Sequence, residues 1–248
     1  MPLTEQEEVR RQACAQLREL GIDPYPAAAF KTTHTTGQVR EQFSEDDADR
    51  WQNVRLAGRL MLKRVMGKAS FVELQDAHGR LQLYIRRDDL CPGEDNTFYN
   101  RVFKKLLDIG DFIGVEGFVF ITKTGETTLH VQQLTLLSKS LRPLPIAREK
   151  DGQSFDGFTD AEQRYRQRYV DLVVNPDVRD RFRARSQIIQ NLRRTMTDAG
   201  YLEVETPVLQ PIYGGAAAQP FTTRHESLGT TLFLRISNEL YLKRLIVG

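Results

Sequence analysis

A chain of 248 residues with 35 Lys and Arg against 33 Asp and Glu carries a net charge of only +2, with 40% hydrophobic and 27% charged residues. That is the composition of a globular protein with material for one large or two modest domains, and no stretch approaches the roughly 18 unbroken apolar residues of a membrane span. The widely separated Cys14 and Cys91 exclude a disulfide framework and a Cys/His zinc site, leaving two inert thiols. The opening "MPLTEQEEVRRQACAQL" lacks the basic-then-apolar layout of a secretory signal, so the chain reads as cytoplasmic. Basic residues gather at "LKRVMGK", "RYRQRY" and "RDRFRARS" while "EQFSEDDAD" is acidic, so a polyanion would meet patches rather than a uniformly basic body.

Residues 5 to 20 predict an amphipathic helix, with Val9, Ala13, Leu17 and Leu20 at helical spacing and Gly21 as the stop. "IDPYPAAAFKTTHTTG" reads as extended linker. From Trp51 the period changes: Val54, Leu56, Gly58, Leu60 and Leu62 alternate with Arg55, Ala57, Arg59, Met61 and Lys63 along a predicted strand. A basic loop leads to "SFVELQD", and the turn "DAHG" leads to "RLQLYIRR", with Leu81, Leu83 and Ile85 inward and Gln82 and Tyr84 outward. Phe98, Val102, Phe103, Leu106 and Leu107 mark a short helix ending near Gly110. "DFIGVEGFVFIT", "KTGE" and "TLHVQQLTLLS" form a second hairpin.

Three strands, a helix and two strands is the element order of the OB-fold, a five-stranded barrel that binds nucleic acid on its second and third strands and on the loops joining strands 1 to 2 and 4 to 5. Those loops are read as carrying Lys63, Arg64 and Lys68, and Lys123 and Glu126. In "SFVELQD", Val72 and Leu74 share one face, so Phe71 falls on the other among Glu73 and Gln75. An aromatic ring beside cationic loops suits single-stranded bases, since stacking contributes about 1–3 kcal/mol per base. On spacing alone, Phe71 is accounted for equally well by a cap from the amino-terminal helix or linker. Gln82, on the same face, offers an amide to a base edge or simply faces solvent.

After Ser140, "LRPLPIAREKDGQSFDGFTD" has the composition of a connector. "AEQRYRQRYVDLVV" predicts a short helix, and Asn175-Pro176 an N-cap and first-turn proline for a long one with the apolar stripe Val178, Phe182, Ile189, Leu192 and Met196, ended by Gly200. "YLEVETPVLQP" reads as a strand with Pro207 at an edge, "YGGAAAQPFTTRHESL" as a small-residue loop, "TTLFLRIS" as a strand and "NELYLKRLIVG" as a helix. The expected divisions are 1–50 helix and linker, 51–140 barrel, 141–176 connector and 177–248 a second α+β domain.

The succession "RYRQRYVDL", "GYLEVETPVL", "GGAAAQPF" and "LRISNELYLKRLIVG" behind an OB-fold resembles the class II lysyl-tRNA synthetases over essentially the whole chain. The resemblance implies an α+β protein: a five-stranded OB-fold barrel that grips the anticodon, followed by the truncated start of the antiparallel-sheet catalytic domain. It implies that Phe71 stacks on the central uridine, that Gln82 and Glu126 read that base, and that Arg59 is a weaker phosphate or base contact. It implies that Gly215 presents its backbone to bound lysine and that Glu239 accepts the α-ammonium group. Beside these stand plainer accounts: Glu126 as a turn residue, Gly214-Gly215 as a flexible turn, and Glu239 as a helix-start acid.

The implied reaction is ATP-dependent activation of lysine to lysyl-adenylate and transfer to tRNA(Lys), with Mg2+ as the expected ion and no protein nucleophile. The partners implied are tRNA(Lys), L-lysine, ATP and, in the full-length enzyme, a second copy forming a homodimer. The family's second and third motifs are expected beyond Gly248, with the metal ligands and the ATP site. The chain is therefore expected to be an amino-terminal fragment, inactive alone, and to expose strand edges over residues 181–248. Tyr213 stands where the family usually has proline, Gln219 where it has arginine or lysine, and "TRHESLGTT" departs from the usual "HHNAL". The alternatives are a stand-alone OB-fold tRNA or single-stranded nucleic-acid-binding protein, and an aspartyl- or asparaginyl-tRNA synthetase relative.

Overall fold

A computed structural model describes residues 2–146, 148–150, 153–155 and 157–248, and the chain divides into two compact units, residues 1–174 and 175–248. The first unit begins with α1 (Glu5–Glu19), opened by a Thr4/Glu7 capping box. Its buried face is Arg10, Ala13, Cys14 and Leu17, whereas Val9 is 55% exposed. A charged residue displaces the predicted valine because the Arg10 guanidinium satisfies carbonyls, donating to Ile109 at 2.9 Å and Ser140 at 3.1 Å. The end of the expected linker and the acidic stretch behind it form two short helices that the sequence reading missed, α2 (Thr36–Gln42) and a 3-10 segment (Glu45–Trp51).

The strands β1 (Val54–Met66), β2 (Ala69–Gln75), β3 (Arg80–Arg86), β4 (Phe112–Ile121) and β5 (Thr127–Ser138) close into a barrel of order β1-β2-β3-β5-β4, with β3 and β5 parallel and the other pairs antiparallel. Alternation places Val54, Leu56, Leu60, Val72, Leu74, Leu81, Leu83 and Ile85 in one core with Ile113, Val115, Leu129 and Val131. Gly58 lies where a Cβ would come within 2.6 Å of the Gln75 carbonyl oxygen, so only glycine lets β1 pass there. A π-helical segment (Phe98–Leu106) contributes Tyr99, Val102, Phe103 and Leu106 to that core, and the Tyr99 hydroxyl meets Ser70 Oγ at 2.9 Å.

The simple alternation fails at Met61. The β1–β2 register pairs Leu60 with Leu74 but Leu62 with Glu73, so one extra residue is accommodated in a bulge. Beyond it the faces exchange: Leu62 and Arg64 lie on the outer face with Glu73 and Phe71, while Lys63 turns to the Val72 side. Lys63, expected as a loop cation, is therefore a strand residue whose ammonium donates to the carbonyls of Phe103 (3.2 Å), Lys104 (3.2 Å) and Leu107 (2.5 Å) at the end of the π-helical segment. Burial pulls that ammonium below its ordinary range, with Asp108 and Asp111 acting against the pull. Nearby, the fully buried Lys139 ammonium meets Asp108 at 2.5 Å and the fully buried Asp111 at 2.9 Å.

Part of the connector, at residues 147, 151–152 and 156, lies outside the described residues; β6 (Arg148–Lys150) and β7 (Gln153–Phe155) pair within it. The predicted single helix is two, α4 (Ala161–Arg166) and α5 (Arg168–Val174), and the buried Asp171 carboxylate binds both Arg164 and Arg168.

The second unit consists of α6 (Pro176–Asp198), a three-stranded sheet of β8 (Leu209–Gln210), β10 (Thr230–Leu234) and β9 (Thr222–His225), and α7 (Glu239–Val247). Asn175 and Pro176 open α6 as expected, and Val178 is buried, but Phe182, Leu192 and Met196 of its stripe are exposed. The expected strand over "YLEVETPVLQP" is reduced to Leu209–Gln210, because residues 201–208 find no ladder partner among the described residues and Pro207 has no N–H. Conversely, the expected loop contains β9, which pairs with β10 through Thr230–His225 to Phe233–Thr222.

Candidate nucleic-acid interface

The outer face of β2 and β3 presents alternate side chains of both strands, and Phe71 pairs in register with Tyr84, as Glu73 does with Gln82. Phe71 lies outside the barrel and partly exposed, its ring 5.0 Å from that of Tyr84 at 42°. Tyr84 is held in turn by Phe120, 6.1 Å away edge-on, and by His130, 5.2 Å away edge-on. His130 packs on Phe118 at 4.6 Å and its Nε2 meets Asp89 at 2.6 Å. The aromatic row therefore runs from β2 across β3 to β5 and β4, and its far end is tied down.

Two recesses share Phe71, Gln82 and Arg64 as walls. One, of about 580 Å³, is completed by Met66, Tyr84, Phe120 and the turn residues Thr122, Lys123 and Thr124. The other, of about 230 Å³, is completed by Arg40, Leu62, Val72, Glu73, Arg80 and Glu126. The first is mainly apolar and the second mainly charged, so the ring of Phe71 stands between a surface that suits a base face and one that suits polar edges and phosphate.

Gln82 donates one amide N–H to Thr128 Oγ1 at 2.9 Å, which fixes the amide plane, and its oxygen makes no hydrogen bond among the described residues. Glu126 is exposed in the β4–β5 turn, where its backbone N–H donates to Thr122 Oγ1 at 3.0 Å. Arg80 is committed to Glu73 at 3.3 Å and to Gln75 at 2.7 Å, whereas Arg64 makes no ion pair among the described residues. Arg59 is not brought to either recess: it donates to the Gly110 carbonyl at 2.8 Å and lies 4.2 Å from the centre of the Phe112 ring. Phe71, Gln82 and Glu126 are thus gathered and Arg59 is set apart. Tyr84, Phe120 and Arg40 were not singled out from sequence; alternation in "RLQLYIRR" and "GFVFIT" carries the signal for the first two, while Arg40 has none.

In the second unit, the other pair of expected site residues is adjacent. Gly215 has a φ of +86°, and a Cβ there would lie 3.0 Å from both Glu239 Cβ and Ser237 Oγ, so the glycine loop packs directly on the start of α7. Ser237 Oγ accepts from the Glu239 N–H at 3.1 Å, and the Glu239 carboxylate holds Lys243 at 2.5 Å. Thr206 of "EVETP" is fastened beside them, donating to Asn238 at 2.9 Å and accepting from Arg235 at 2.8 Å. Tyr213 packs on Phe233, the ring centres 4.8 Å apart. Among the described residues no three His, Cys, Asp or Glu side chains converge as metal ligands, and none of the helices is long and apolar enough to cross a membrane.

Residues 54–137 match the family of OB-fold nucleic acid binding domains, and residues 160–248 match the family of class II tRNA synthetases (D, K and N). Across all 248 residues the chain is 58% identical to a lysine–tRNA ligase of Porphyromonas gingivalis, covering 43% of that protein. It is 56% identical over 246 residues to a lysine–tRNA ligase of Azobacteroides pseudotrichonymphae, covering 49% of it, and 54% identical over 247 residues to one of Christiangramia forsetii, covering 42%. The chain thus spans less than half the length of the curated relatives it matches.

Proposed function

We propose that this chain, whose residues 160–248 match the class II tRNA synthetases and which is 58% identical to a lysine–tRNA ligase, is part of such an enzyme and serves the ATP-dependent joining of lysine to tRNA(Lys). The observation that carries this reading is the convergence of Phe71, Gln82 and Glu126 on one recess of the outer β2–β3 face. Phe71 offers a ring face to the central anticodon base. Gln82 directs its unused oxygen to a base N–H, and Glu126 accepts from a base on the same side. Arg59, bound to Gly110 and Phe112, acts at most on the margin of this surface.

In the second unit, Gly215 lends backbone to bound lysine and Glu239 pairs with its α-ammonium group, a cation that would take a carboxylate oxygen now facing Lys243. The whole reaction is attack of the lysine carboxylate on the ATP α-phosphate, releasing pyrophosphate, then transfer of lysine to the terminal adenosine. Mg2+ belongs to the proposed ligase chemistry, and among the described residues no three His, Cys, Asp or Glu side chains converge to hold it. The exposed Ile188, Leu192 and Met196 of α6 suit a second copy of the chain in a homodimer, and the setting proposed is the cytoplasm.

The test is binding of the 248-residue chain to an anticodon stem-loop bearing UUU, compared with the same loop carrying another central base. Tighter binding of the UUU loop, lost in Phe71→Ala, supports the reading. Equal affinity for both loops, untouched by that substitution, overturns it. Pyrophosphate exchange with lysine and ATP is expected to stay at background for these 248 residues.

A further inference from the structure

α2 lies outside both matched families, yet it reaches the charged recess beside Phe71. Its seven residues are held from two sides. At its start, the buried Thr36 donates its backbone N–H to Asp76 at 2.8 Å and its hydroxyl at 2.5 Å, fixing the helix to the β2–β3 turn. Asp76 is itself anchored, accepting the N–H groups of His78 at 2.7 Å and Gly79 at 3.1 Å. In its middle, Val39 is fully buried in the barrel core cluster, and Phe43 just beyond packs edge-on against Trp51 at 5.9 Å. With Thr36 and Val39 turned inward, Arg40 is left exposed and borders the same recess as Phe71, Gln82 and Glu126.

The charges of that recess decide what Arg40 can do. Of its three arginines, Arg80 is spent on Glu73 and Gln75, while Arg40 and Arg64 make no ion pair among the described residues. Two arginines without an ion pair among the described residues thus share the recess with the partly exposed Phe71 ring and with Glu126. We propose that Arg40, delivered to the recess by the Thr36–Asp76 clamp, is a phosphate-binding residue of the RNA interface, gripping the backbone of the strand whose base lies on Phe71. The proposal rests on the RNA reading of this face. It assigns Arg40 positioning of the strand without base choice, because a guanidinium on a phosphate carries no sequence information.

The experiment measures the affinity of the full chain for a UUU anticodon stem-loop, and for the loop with its central base changed, from 50 to 200 mM salt. For Arg40→Ala, binding of both loops should weaken by the same factor. One lost phosphate contact should lower the slope of log affinity against log salt by about 0.7–0.9, so the deficit shrinks about threefold over that range. Arg40→Lys should restore the slope, and Thr36→Val, which removes the hydroxyl half of the clamp and keeps the backbone half, should reproduce part of the loss, while an unchanged melting temperature in Arg40→Ala excludes unfolding. A wild-type salt slope in Arg40→Ala, with Phe71→Ala still abolishing UUU preference, overturns the role of Arg40 and leaves the interface standing. If Phe71→Ala also changes nothing, both fall.

Discussion

The rings of Phe71 and Tyr84 face each other across the β2–β3 ladder at 5.0 Å and 42°, and Tyr84 is braced from behind by His130 at 5.2 Å. A ring so supported offers a fixed platform, so little side-chain entropy is lost when a base settles on it. Phe71→Ala should weaken binding of a UUU stem-loop by about 1–3 kcal/mol, roughly five- to 150-fold, while Phe71→Tyr keeps most of the affinity. Fluorescence anisotropy titration at fixed salt reads both.

Lys63 separates structural from RNA-binding cations. Lys63→Met leaves three carbonyls at the end of the π-helical segment without their donor and should cost about 1–3 kcal/mol of stability in urea unfolding. Stem-loop affinity, measured where the variant remains folded, should not change, in contrast to substitutions of Arg64.

The Lys139–Asp111 pair is fully buried, so removing one member strands the other. Burial already pushes the Asp111 carboxyl up, against the pull of Lys139. Lys139→Met should destabilise the barrel by about 3–5 kcal/mol, measured by the urea midpoint, and Lys139→Met with Asp111→Asn should recover part of it.

Gly215→Ala places a methyl group 3.0 Å from Glu239 Cβ and Ser237 Oγ on a backbone with φ +86°. The strain of a non-glycine residue there is about 1–2 kcal/mol, and the loop should relieve it by moving off the start of α7. Amide resonances of Ser237 and Glu239 should shift, while those of the barrel strands stay in place.

The Glu7 carboxylate accepts the Thr4 backbone N–H at 2.9 Å, and hydrogen bonds from the Thr4 backbone and hydroxyl hold its pKa below the ordinary glutamate value. A carboxyl lowered in the folded state stabilises that state above its unfolded pKa, and the contribution is lost as pH falls through the folded pKa. Titration of Glu7 followed by NMR should give a midpoint below that of an exposed glutamate. Thr4→Ala should raise it.

The barrel was legible in the sequence because alternation is a local property: Val72, Leu74, Leu81, Leu83 and Ile85 announce their face two residues at a time, and Phe71, Gln82 and Tyr84 the opposite one. The same rule put Leu62 on the inner face and Lys63 on the outer one. One extra residue at Met61 reverses both, because a bulge is set by the partner strand and costs nothing in the local pattern. Arg10 in place of Val9, and Thr36 on Asp76, depend likewise on carbonyls and a carboxylate distant in the chain that meet them only after folding. Of the strand expected over "YLEVETPVLQP", residues 201–208 found no ladder partner among the described residues. Composition and periodicity therefore determined the five barrel strands and most of their apolar faces. Tertiary structure alone decided which cations are spent on carbonyls and which, like Arg40 and Arg64, remain at the recess, because pairing depends on distance in space rather than on spacing along the chain.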